Sequence, residues 1–165
     1  MHVRKDRLKF SERVSEFIGA FLMLLAALFF ILHQILSTGF FTPRFGSLEA
    51  FLFYLPMLIG ITSCIVRGVI GRRNAVRPLD VAGNIACFIA ASWLLIVFPF
   101  NFSHLADILP SSLKFFLAWF SDDFGKIILA LAGVAGLFNA IYSSILYLFV
   151  RRELSKDKEK PNKPL

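Results

Sequence analysis

Four runs of about twenty residues, interrupted by a single charge, constrain this chain more than any other feature. They cover residues 17–36, 51–70, 81–100 and 127–150, and only Arg67 breaks their neutrality. A hydrocarbon layer of ~30 Å is crossed by ~20 helical residues, so each run is long enough to span it. Of the 165 residues, 57% are hydrophobic and 20 are phenylalanine. A soluble domain averages ~45–50% apolar, and here the excess sits in the long runs. The expected fold is an all-α membrane protein, a bundle of four transmembrane helices.

Helix-end signals agree with these spans. Pro78 lies before the third, where a missing N–H costs little, and Pro99 falls at its far end. Ser121, Asp122 and Asp123 precede the fourth, where they can cap free N–H groups and favour the positive dipole end.

The basic residues then assign the sides. Fifteen of the eighteen Lys and Arg lie at one end: in the first sixteen residues, at 67–77, and from Arg151 onward. Only Arg44, Lys114 and Lys126 lie at the other. By the positive-inside rule both termini face the cytoplasm, and a cell membrane is the expected location. The net charge of +7 flanks apolar spans, so the expected partners are the bilayer and anionic headgroups on its cytoplasmic side. Nucleic acid is not expected. The first apolar run is longer than the ~7–15 residues of a signal-peptide core, so it is expected to be retained. The tail 155–165, polar and broken by prolines, is expected to be disordered.

Between the third and fourth spans, residues 104–120 are too apolar for a surface loop and too broken by Asp107, Pro110 and Lys114 to cross, and their apolar run 113–120 is far short of the ~20 residues needed. Leu113, Phe116, Leu117 and Phe120 fall on one face at 100° per residue, with Trp119 beside them. This predicts a short interfacial helix after Pro110, anchored at headgroup level. A lid over the bundle mouth is the alternative.

Lipid tails are as apolar as leucine, so spans associate through close backbone contact and polar links. Small residues at four-residue spacing mark the expected contacts: Gly60, Cys64 and Gly68 in the second span, Gly83 and Cys87 in the third, Ala132 and Gly136 in the fourth. The two cysteines form no CxxC or metal-ligand spacing and read as small packing residues.

Candidates for chemistry are few. No ionisable residue lies at mid-membrane, the usual mark of transport. Asn139 and Ser143, with Thr62 and Ser63, are the central polar groups and could line a pathway. An interhelical hydrogen bond from Asn139, worth ~0.6–2 kcal/mol, is the simpler reading. Arg67, Asp80 and Asn84 lie at comparable depth and form an expected polar cluster at the cytoplasmic end. His104 and Asp107, three residues apart, are the weak candidates for catalysis. No metal ligand set and no cofactor are expected. The outer CxxC of four-span thiol oxidoreductases, the embedded glutamate of small multidrug exporters and the paired loop cysteines of claudin-like proteins are absent from these positions.

The first functional expectation is a non-catalytic subunit, scaffold or assembly factor, bound to a protein partner or to copies of itself. The second is a small oligomeric transporter or channel with its pathway near Asn139. The third is a membrane enzyme or lipid-handling protein using the outer His and acidic residues.

Overall fold

A computed structural model describes residues 7–159. Four helices follow one another: α1 (Phe10–Ile35), α2 (Ser47–Ile70), α3 (Arg73–Val97) and α4 (Asp122–Glu159). All four are long and apolar enough to cross a membrane. They form an antiparallel bundle with two distinct ends. The basic end carries the start of α1, the α2–α3 turn and the end of α4. The aromatic end carries the two longer connections. No strand forms among the described residues, only two isolated bridges, Arg7 with Arg72 and Phe41 with Phe100.

The helix ends follow from local chemistry. Glu12 accepts from the Lys9 N–H at 2.8 Å, and Glu49 accepts from the Gly46 N–H at 3.0 Å, so each acid satisfies a donor at its helix start. Gly71 closes α2 at φ +67, a left-handed conformation that glycine adopts without strain. The Arg13 guanidinium donates to the carbonyls of Gly68 and Val69 at 2.7 and 2.8 Å, capping α2 from outside. Pro99 disfavours helix at the preceding residue, and α3 ends there, with Phe98 at φ +39. Ser121 Oγ accepts from the Phe124 N–H at 3.3 Å at the start of α4.

Three expectations change. α3 begins at Arg73 rather than at 81, so Pro78 lies inside the helix, in its second turn. Its ring suits helical φ, and the missing N–H removes one backbone bond near a helix end, where that loss is small. α4 continues past Ser155 to Glu159, where Lys156, Lys158 and Glu159 favour helix; the rest of the tail lies outside the described residues. The predicted interfacial helix is not an α-helix. The segment folds as turns with two 3₁₀ pieces, Phe102–His104 and Lys114–Phe116. Side chains take the bonds an α-helix would use. The Trp119 indole donates to the Phe116 carbonyl at 2.7 Å, and the Phe120 N–H turns to Leu117 at 3.1 Å. Phe115, Phe116 and Trp119 remain exposed, while Leu117 and Phe120 pack inward.

Packing proceeds in chain order: α1 on α2, α2 on α3, α3 on α4, with no comparable packing of α1 along α4. Glycines set the approach. A Cβ at Gly60 would meet Met23 Sδ at 3.0 Å, one at Gly68 the Phe17 ring at 2.9 Å, and one at Gly83 Ile59 at 2.9 Å. At Gly136 it would meet backbone, the Asn84 carbonyl oxygen at 2.9 Å. The largest fully buried apolar side chains are not at mid-membrane. Phe40, Leu94, Phe100 and Leu105 cluster at the aromatic end. Lipid solvates the helix faces, so only the connections have to bury themselves.

Candidate functional site

Because α1 and α4 do not close on each other, a cleft of 620 Å³ opens between them. Its walls come from all four helices: Ala26 and Phe30 of α1, Leu52 and Pro56 of α2, Ala90 and Leu94 of α3, Ile128 and Ala132 of α4. Phe40, Phe100, Phe102, Leu105, Leu117 and Phe120 shut it at the aromatic end. These rings interlock: Phe40 lies 5.6 Å from Phe30 and Phe100, and 5.4 Å from Phe102, centroid to centroid. Edge-on and offset contacts of this kind add ~0.5–1.5 kcal/mol each to burial.

His33 fastens this roof. It is 1% exposed, and its ring lies 4.9 Å from Phe29 and 5.0 Å from Phe40. Nε2 donates to the Leu105 carbonyl at 3.1 Å. A carbonyl can only accept, so the neutral ring carries its proton on Nε2, and Nδ1 accepts from the Thr38 hydroxyl at 2.5 Å. His33 thus joins α1 to both connections. Replacing it by leucine strands the Leu105 carbonyl in an apolar setting, at an expected cost of about 1–3 kcal/mol. Thermal unfolding in detergent reads the loss, and protease cleavage within 102–120 should rise with it.

A second pocket of 360 Å³ lies toward the basic end and shares Pro56, Met57 and Cys87 with the first. Here the lining turns polar: Ser63, Arg67, Asp80 and Asn84 join Cys64, Gly60 and Gly83. Arg67 is the centre of a three-helix tie. It contacts both Glu16 oxygens at 3.0 and 3.2 Å, the Asp80 carboxylate, and Ser63 Oγ at 3.1 Å. Ser63 also donates to Asp80, and Asn84 donates to the Asp80 backbone carbonyl at 2.8 Å. Glu12 meets Arg73 at 2.6 Å, again joining α1 to α3.

The structure therefore brings Arg67, Asp80 and Asn84 together, and adds Glu16. It does not bring the four pathway residues together. Ser63 is buried in the tie. Thr62 is exposed and donates to the Leu58 carbonyl of its own helix at 2.8 Å. Asn139 is exposed on α4 with no hydrogen-bond partner among the described residues, and Ser143 is half-buried one turn further on. Cys64 faces Gly19 and Cys87 faces Gly136 and Ala132, so the two thiols address different helices and both are free.

His104 and Asp107 do meet, at 2.8 Å, and Lys114 lies 3.4 Å from the other carboxylate oxygen. The hydrogen bond from His104, helped by Lys114, holds the Asp107 carboxyl below its ordinary range. All three side chains are exposed, and none of them lines either pocket. Among the described residues no group of three His, Cys, Asp or Glu is placed to hold a metal ion.

Comparison with known proteins finds no match. No family profile, curated protein or solved structure is similar to this chain. Function must therefore be argued from the cleft.

Sequence reasoning passed over Glu16 and the aromatic roof, and read His33 only as an interfacial polar tip at the outer end of the first span. Glu16 stands one residue before the first uncharged run, at a depth that pairs it with Arg67. His33 follows Phe29 and Phe30 at helical spacing, a hint of an aromatic setting.

Proposed function

We propose that this is a non-catalytic, lipid-handling protein of the cell membrane, with its basic end in the cytoplasm, that takes the apolar chain of a lipid into the α1–α4 cleft. The carrying observation is an almost wholly apolar cleft, open between two unpacked helices and shut at one end by aromatic rings. The shut end decides between occupants. A partner's spanning helix must cross the full ~30 Å, and at ~10–12 Å diameter it has no way past the roof. A flexible chain entering sideways can end inside. The volume of 620 Å³ falls within the ~300–1,000 Å³ usual for small-molecule sites. The exposed Phe115, Phe116 and Trp119 suit a roof whose outer surface rests at the headgroups. An enzyme would need reactive groups in this cleft, and the His104–Asp107 pair lies outside it. A channel would need its polar residues to converge, and Thr62 and Asn139 do not.

Gentle extraction followed by native mass spectrometry tests this. Wild-type protein should retain a stoichiometric lipid. Ala26→Phe, which projects a ring into the open cleft, should release it without lowering the melting temperature. A stoichiometric protein in place of lipid would favour the subunit reading. Equal lipid in both forms would remove the cleft from the argument.

A further inference from the structure

Next to the apolar cleft lies the polar pocket, and its lining carries a chemical preference. Pro56, Met57 and Cys87 line both pockets, so the two adjoin along the bundle. On α3 the lining runs from Leu79 to Leu94, a rise of ~22 Å at 1.5 Å per residue. That is longer than half of a ~30 Å hydrocarbon layer. A molecule filling both has a polar group at the basic end and an apolar chain reaching toward the aromatic roof.

Hydrogen-bond bookkeeping shows what kind of polar group fits. Arg67 is committed to Glu16, Asp80 and Ser63. Glu16 spends both oxygens on Arg67. Asp80 receives Arg67 and Ser63 on Oδ1, and no group among the described residues donates to Oδ2. That oxygen is not sealed from its surroundings, since among the described residues the only buried side-chain polar atom lacking a partner is Thr42 Oγ1. Asn84 must turn its NH₂ to the Asp80 backbone carbonyl, which leaves Oδ1 without a donor. The open positions are thus two acceptors. Two carboxylates against one guanidinium also leave the tie one negative charge in excess. Acceptors with negative charge are complementary to a cation that donates hydrogen bonds.

A third polar group stands at the same depth. Gly136 touches the Asn84 carbonyl, and Asn139 is three residues further toward the basic end, level with the Asp80–Asn84 turn. Asn139 is seven residues from Ala132, which lines the cleft, so the two share a face of α4. Asn139 is exposed and lines neither pocket, so the headgroup contacts are left to Asp80 and Asn84.

We infer that the ligand of the two adjoining pockets is an amphiphile with a hydrogen-bond-donating ammonium group, seated at Asp80 and Asn84 with its chain in the apolar cleft. This rests on the lipid-handling reading above and adds the class of headgroup. The free thiols supply a local readout, because Cys64 and Cys87 both line the polar pocket.

The full-length protein is reconstituted in phosphatidylcholine vesicles doped with octadecylamine, octadecanol or octadecyl phosphate. Alkylation of Cys64 and Cys87 by a small neutral reagent is then timed. Octadecylamine should protect the thiols at roughly tenfold lower doping than either other probe, and Asp80→Asn should abolish that advantage. Should Asp80→Asn fail to fold for want of the Arg67 tie, Asn84→Leu keeps the tie and should still reduce the advantage severalfold. Equal protection by all three probes, or stronger protection by the phosphate, overturns the headgroup assignment and leaves chain binding standing. No protection by any probe removes chain binding, and the assignment falls with it.

Discussion

Arg67→Leu should leave Glu16 and Asp80 facing one another with no cation between them, and the bundle should lose about 2–4 kcal/mol. Breaking a fully buried pair costs ~3–5 kcal/mol, because the surviving charge is left without compensation. Here Arg67 is 21% exposed and Glu16 18%, so part of that cost is screened. The loss should fall on α1, which the tie, the Glu12–Arg73 pair and the Arg13 cap hold to α2 and α3. Thermal unfolding in a mild detergent measures it. The triple change Glu16→Gln, Arg67→Leu, Asp80→Asn should recover most of the stability, since no bare charge remains. A single Arg67→Leu within 0.5 kcal/mol of wild type, the range of ordinary surface changes, would show that the tie is decorative.

Gly136→Val should act on the opposite half of the bundle. The added Cβ would stand 2.9 Å from the Asn84 carbonyl oxygen and 3.1 Å from the Phe88 nitrogen. Both are backbone atoms and cannot swing aside, so α4 must move off α3. Overpacking of this kind costs ~1–3 kcal/mol, with the upper end expected here. Gly60→Ala is the control. Its Cβ meets only the end of the flexible Met23 side chain, which can shift at little cost. If both substitutions unfold at the wild-type temperature, close backbone approach does not hold α4.

The small-residue stripes were legible because four-residue spacing repeats on one helix face, and the faces carrying Gly60, Gly83 and Gly136 do meet neighbours. The Arg67–Asp80 contact was legible for a related reason. Two helices joined by a tight turn place residues equally far from that turn side by side. Asn139 was harder to read. Its depth follows from counting along α4, but whether it faces protein, partner or open groove depends on where α1 stands. The loop at 102–120 misled because its 100° periodicity suited a helix, while the Trp119 indole, the buried Leu105 and the half-buried Leu117 selected turns.

The sequence by itself determined that four helices cross a membrane, which end carries the positive charge, and which residues let backbones approach. Those properties are one-dimensional: run length, charge position and residue size read along a single helix. Only the tertiary structure decided that α1 and α4 stay apart, that His33 and Phe40 seal one end of the gap, and that Glu16 joins Arg67 and Asp80 at the other. Each of these is a meeting of residues from different helices or connections. In a bilayer the outward helix faces are apolar whether they meet protein or lipid, so the pattern along the chain carries no mark of which face is left open.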